Sequence, residues 1–230
     1  MNGPERLNLL IREFIKPELK KHGFTLKGRT FYVFDSGNWG LIEIQNGTRS
    51  TQDAIAFTIN VGIACRRFSG LSDDEWRRTR PPMYRADYNL RLGFLLGLPT
   101  GRKDKWWTLE AQTDLSSLAE ELLGHLRGAA IPEIRRLISD EGLRDYWLSG
   151  QGGGLSERQR LSKLETLLRA IGPVERLAKL NSDTAVDVDR EFGDLVTGVL
   201  RAAGFSPYPT RPESGTSSPE RDPGETDPKH

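Results

Sequence analysis

Three histidines, a single cysteine and no apolar run near the length of a membrane span exclude several kinds of protein for this 230-residue chain. With only Cys65 available, no internal disulfide can form, and the chain fits a reducing compartment. A spanning helix needs roughly 20 consecutive apolar residues, whereas the mean hydropathy here is −0.53. The opening MNGPERLNLL carries Glu5 early and has no small-residue cleavage site behind an apolar stretch. No secretory leader is expected, and the expected location is the cytoplasm, with no membrane partner.

The same scarcity removes most catalytic chemistry. His22, His125 and His230 lack a second His, Cys or carboxylate at a recurring ligand spacing, so no metal site and no cofactor are expected. The acidic run Asp73–Glu75 and Asp53 read as solvated loop. Alternation puts Cys65 on the core side of its strand, where a thiol is inert filling. The sequence GQGGG lacks the preceding strand and the Gly-Lys-Ser/Thr ending of a phosphate cradle. Glu43 and Glu110 are the carboxylates that alternation sets on the non-core sheet face, where a pair could do acid–base work if strand order brings them together.

Charge is nearly balanced at +1 but unevenly spread. Residues 1–112 hold 18 Lys/Arg against 12 Asp/Glu, a net of +6; residues 113–230 hold 15 against 20, a net of −5. That front half tolerates an acidic partner yet falls short of the basic footprint of most nucleic-acid binders.

What is present organises the chain. Residues 5–22 show a helical stripe of Leu7, Leu10, Ile11, Phe14 and Ile15, with Pro17 expected to interrupt it and Gly23 to end it. Period-two alternation follows. A two-residue loop at Ser36-Gly37 pairs Asp35 with Asn38, Phe34 with Trp39, Tyr32 with Leu41, Phe31 with Ile42 and Thr30 with Glu43. IAFTINVGIAC, NLRLGFLLG and WWTLEA complete a meander of about five antiparallel strands. Beyond Thr113 the period is helical, with Pro132 expected to start a second closing helix.

The expected organisation is an α+β domain over residues 1–148, a Gly-rich linker at 149–154 and a helical appendage at 155–205. The proline- and charge-rich segment 206–230 buries too little apolar surface to offset its ordering entropy and reads as disordered.

LKKHGFTLKGRTFY, NWGLIEIQ, FTINVGI, LRLG, DKWWTLE and AAIPEIRRLISDEGLRDYWL, in that order, resemble the bacterial family known as domain of unknown function 4304, over about residues 5–148. The resemblance implies an α+β fold with a helix, a meander and closing helices. It brings no activity and no catalytic residues. It also suggests stand-alone proteins, some of them of the immunity type that neutralises a toxin by binding it.

Two surfaces stand out as candidate sites. The outward sheet face collects Tyr32, Phe34, Trp39, Gln45, Asn60, Arg91 and Trp106, a mixture of aromatics, amides and arginine that suits protein recognition. Either it is exposed, or the helices of residues 113–148 or the C-terminal appendage cover it. The second is a basic loop with Arg66, Arg67, Arg77 and Arg78 around Trp76. The expected function is therefore a non-enzymatic module with a protein partner. The alternative is a nucleic-acid binder using the arginines and the aromatic face, and a third is an enzyme built on Glu43 and Glu110.

Overall fold

The computed structural model describes residues 1–48, 50–98 and 104–171. They belong to the first of two compact units, Met1–Thr184 and Ala185–His230. The helices expected after Gly172 and the segment 206–230 lie outside the described residues.

The chain begins with α1 (Gly3–Leu10), whose first turn is closed by a capping box between Asn2 and Glu5. A π-helical turn, Ile11–Ile15, then joins it to α2 (Lys16–Lys21). Pro17 was expected to interrupt this helix and does not. Proline has no N–H, and its ring clashes with the carbonyl one turn back. The wider π turn just ahead of Pro17 absorbs that misfit and lets the helix run on.

The same device recurs at Pro132, where a second helix had been expected to start. There α5 (Leu115–His125) passes through a π turn, Leu126–Ala130, into α6 (Ile131–Leu137). Two prolines thus sit inside long helices, each two residues beyond a π turn.

The sheet order is β1 (Thr25–Lys27), β2 (Thr30–Asp35), β3 (Asn38–Asn46), β4 (Ile55–Ala64) and β5 (Tyr88–Arg91), all antiparallel. The hairpin register matches the one expected pair for pair, from Thr30 opposite Glu43 to Asp35 opposite Asn38. Its two loop residues both have positive φ, 50° at Ser36 and 83° at Gly37, as a type I′ turn requires.

A sixth strand, β6 (Trp107–Leu109), pairs with residues 55–57 of β4. It follows β5 along one edge of β4, because β5 occupies residues 60–63 of that edge. This explains why NLRLGFLLG is not one strand. Past Arg91 the edge passes to β6, so the chain coils into a short helix, α4 (Leu92–Leu95), and Phe94 is exposed rather than inward.

Phe31, Ile42, Ile44, Ile59, Val61 and Ile63 form the inner sheet face and are buried. Leu7, Leu10, Ile15 and Leu19 of the first helix, and Leu122, Leu126, Ile134 and Leu137 of the second, complete the core.

One buried acid joins the two helices. Glu18 accepts from Arg127 Nε at 2.7 Å and from Lys21 Nζ at 3.2 Å. The Arg127 hydrogen bond, aided by Lys21, outweighs burial and lowers the Glu18 pKa to about 2. A depressed carboxylate contributes stability above its ordinary value of 4.5 and loses it as pH falls toward 2. Arg127 is half exposed, so screening limits the effect. Glu18→Gln is expected to remove about 1–2 kcal/mol at pH 7 and only a few tenths of that at pH 2, checked by urea unfolding at both.

The glycine-rich segment 149–154 is not a free spacer. Gly153 O accepts from Asn89 N at 2.8 Å, and a Cβ at Gly153 would lie 2.4 Å from Tyr88 Cδ2. At Gly154, φ is +91° and a Cβ would come within 2.4 Å of Asn89 O. Gly153 and Gly154 serve close approach to β5. They lead α8 (Glu157–Ile171) back onto α7 (Asp140–Leu148), with Leu161, Leu164, Leu167 and Leu168 buried. This first appendage helix therefore packs with the α+β body, held further by Arg160 on Trp147 O and by Lys163 Nζ at 2.5 Å from Asp87 Oδ1.

Candidate functional site

Antiparallel register divides the outward sheet face into cross-strand rows. One holds Phe34, Trp39 and Ala64; the next holds Tyr32, Leu41 and Gly62; a third holds Thr30, Glu43, Asn60 and Arg91. The first two rows are covered, and among the described residues the cover comes neither from the helices of residues 113–148 nor from α8. The connection between β4 and β5, residues 66–86, folds over them itself.

Its helix α3 (Asp73–Arg78), capped by Ser72 and Glu75, drives Trp76 onto the sheet. Tyr32, Trp39, Leu41, Ala64, Trp76 and Met83 thereby form a second buried cluster. Both indoles are satisfied: Trp39 Nε1 donates to Trp76 O at 3.0 Å, and Trp76 Nε1 donates to Gly37 O at 2.9 Å. Tyr32 meets Trp39 edge-on at 6.0 Å. Tyr32, Trp39 and Trp76, read as recognition residues, are core.

The third row stays more open. Asn60 is buried between two acceptors, with Nδ2 3.1 Å from Glu43 Oε2 and 2.8 Å from Gln45 Oε1. Gln45 is exposed, while the half-buried Arg91 lies over the Trp106 ring at 5.1 Å and pairs with Asp104. Glu43 and Glu110 are not brought together. Glu43 sits opposite Asn60, whereas Leu109 sits opposite Ile55. Five residues of β4, roughly 17 Å, separate those positions. The two carboxylates make no acid–base pair.

The basic loop is brought to one place. Arg66, Arg67 and Arg77 line a cleft of about 360 Å³ beside Phe34, the Ser36-Gly37 turn and Trp76. Its floor is a polar network centred on the fully buried Asn38. Asn38 Nδ2 donates to Ile138 O at 2.8 Å and to Asp140 Oδ1 at 3.0 Å, while Oδ1 accepts from Arg66 N at 2.8 Å. Asp140, at the first position of α7, also accepts from Arg67 Nε at 2.8 Å and Cys65 Sγ at 3.3 Å. Burial alone would raise the Asp140 pKa, but hydrogen bonds from Arg67, Asn38 and Cys65 hold it below the ordinary value.

Cys65 behaves oppositely. Burial first, and then the Asp140 carboxylate, push its thiol far above the usual range. The protonated form that this favours is the donor to Asp140 Oδ1 at 3.3 Å.

Arg66 and Arg67 engage their carboxylates through Nε alone, at 2.6 Å to Asp73 and 2.8 Å to Asp140. Their terminal nitrogens have no partner among the described residues. Arg77 lies 5.1 Å over the Phe34 ring and Arg80 lies 5.7 Å over Tyr32. Arg77, Arg78, Arg80 and Arg85 are all exposed and have no carboxylate partner among the described residues.

A second, more apolar cleft of about 320 Å³ shares Trp76 as a lining residue and is walled by Phe68, Leu71, Pro81 and Pro82. Among the described residues no three His, Cys, Asp or Glu side chains cluster as a metal site would need. No described helix is long and apolar enough to cross a membrane.

The sequence singled out the arginines but missed Asn38 and Asp140. An amide on the inward face of β3, immediately after the turn, was the available signal.

These features define an α+β protein with a six-stranded antiparallel sheet, whose outward face is half covered by an arginine-bearing loop. The chain belongs to the family described as domain of unknown function (DUF4304), whose model matches residues 15–136. Searches of curated proteins and of solved structures return no match.

Proposed function

We propose that this chain is a non-catalytic binding module that docks an acidic protein partner through residues 66–85. The carrying observation is the set of exposed arginines, Arg77, Arg78, Arg80 and Arg85, without carboxylate partners among the described residues. Two of them are held over aromatic rings before any partner arrives. Guanidinium groups ordered in this way lose less freedom on binding than free side chains would. Arginine beside aromatic surface is also the composition in which binding energy concentrates.

A toxin with an acidic face is a partner of this chemistry, and an immunity-type role is the form the proposal takes in that case. A toxin gene adjoining this one is the genomic neighbour it expects. The same reading places the protein in the cytoplasm, supported by the free, buried Cys65.

Arg77→Glu/Arg80→Glu tests the proposal by co-purification and mass spectrometry. Wild type is expected to retain a protein that the variant loses, with the variant still unfolding cooperatively and its midpoint lowered only by the two lost exposed cation–π contacts. Retention of the same protein by both, or recovery of nuclease-sensitive nucleic acid in its place, overturns the reading in favour of another surface or of nucleic acid.

A further inference from the structure

Trp76 is a wall of both clefts, and the two differ in chemistry. On one side stand Arg66, Arg67 and Arg77, with terminal guanidinium nitrogens that have no partner among the described residues. On the other stand Phe68, Leu71, Pro81 and Pro82, with Arg85 also lining the cleft. The Trp76 indole is 5% exposed and its N–H donates to Gly37 O at 2.9 Å, which orders it as the shared wall.

We infer that the two clefts form one bipartite site for an extended peptide segment, seating an acidic side chain on the arginine side of Trp76 and an apolar side chain on the other. The inference rests on the acidic-partner reading and adds the form of the partner's contact.

The chemistry selects a carboxylate on the first side. Terminal guanidinium nitrogens present paired N–H groups in the geometry a carboxylate takes up bidentately. Asp73 and Asp140 already neutralise part of Arg66 and Arg67 through Nε. They hold each fork in place without occupying its outer edge. Arg77 has no such carboxylate among the described residues and leaves the cleft with an excess of positive charge.

The second cleft has no use for charge along its proline and aromatic walls, since its buried acid Asp87 is already taken by Lys163 Nζ and Cys65 N. An aliphatic side chain fits it, removing those walls from water. An extended strand turns successive side chains to opposite sides, so one short segment can address both clefts across the indole.

The test uses the full chain and short fluorescein-labelled peptides read by fluorescence anisotropy. One peptide alternates aspartate with leucine, a second aspartate with serine, and a third asparagine with leucine; a single-stranded oligothymidylate of matching length is the fourth probe. The aspartate–leucine peptide is expected to bind about tenfold more tightly than either of the other peptides. Arg77→Glu is expected to erase its advantage over the asparagine–leucine peptide. Thr79→Trp, which fills the apolar cleft, is expected to erase its advantage over the aspartate–serine peptide.

Equal binding of the aspartate–leucine and aspartate–serine peptides overturns the bipartite site and leaves the acidic-partner reading standing. No binding by any peptide also overturns the site, while the co-purification result decides the wider reading separately. Oligothymidylate binding tighter than every peptide, and lost at high salt, overturns both. The wild-type preferences alone decide the matter should Thr79→Trp fail to fold.

Discussion

Trp76→Ala is expected to destabilise the protein by about 3–5 kcal/mol, the usual range for truncating a fully packed tryptophan. The residue is 5% exposed, although it sits in a segment whose charge and prolines read as loop. Its loss opens a cavity between Tyr32, Trp39 and Met83 and takes away the N–H that Gly37 O accepts. Equilibrium urea unfolding followed by far-ultraviolet circular dichroism measures the change. Trp106→Ala supplies the contrast. That ring is half-buried at the open end of the sheet face, stacked under Arg91, and its removal is expected to cost below about 1 kcal/mol. Similar losses for both variants would mean that residues 66–86 do not act as a second core layer. The pair also bears on recognition, since Trp39 and Trp76 cannot serve as freely accessible contact residues while they hold the loop to the sheet.

How far the sequence discloses this arrangement depends on the range over which each feature is encoded. The β2–β3 register is local: a two-residue turn and period-two alternation fix every pair from Asp35–Asn38 outward. The inner face is legible for the same reason. Continuity of helices through Pro17 and Pro132 is not, because a π turn leaves no periodic mark while proline leaves a strong one. The cover over Tyr32 and Trp39 is harder still. Leu71, Trp76 and Met83 are scattered through a charged connection without helical or strand period, and nothing local says that they face the sheet. The glycines at 149–154 carry a composition that normally means freedom, and only the approach to Tyr88 and Asn89 reveals their use. The candidate site follows this pattern. Its arginines are neighbours in sequence and were legible, but the residues beneath them come from positions 38, 65 and 140 and meet only in the folded chain.

Asn38 is where that long-range convergence matters most. Asn38→Ala is expected to cost about 2–3 kcal/mol, because it leaves the buried Ile138 carbonyl and the half-buried Arg66 N–H without their amide partner. Removing the amide also takes a donor from Asp140, whose ionised form then depends more heavily on Arg67. The arginine cleft loses its floor together with the stability, so peptide binding is expected to weaken in this variant even where it remains folded.

Asn38→Asp separates the two roles of the side chain. It keeps an acceptor for Arg66 N but replaces the donor to Asp140 with a second carboxylate at hydrogen-bond distance. Two carboxylates this close do not both ionise readily, so the pair holds a proton more tightly folded than unfolded. A folded-state pKa raised in this way penalises the native state at neutral pH and relieves it as pH falls. The stability gap between Asn38→Asp and wild type is therefore expected to narrow between roughly pH 7 and 5, while the gap for Asn38→Ala stays constant over that range. Urea titrations of the three proteins at both pH values decide it. A constant gap for both variants would mean that Asp140 does not depend on the Asn38 amide, and that the cleft floor is held by Arg67 alone.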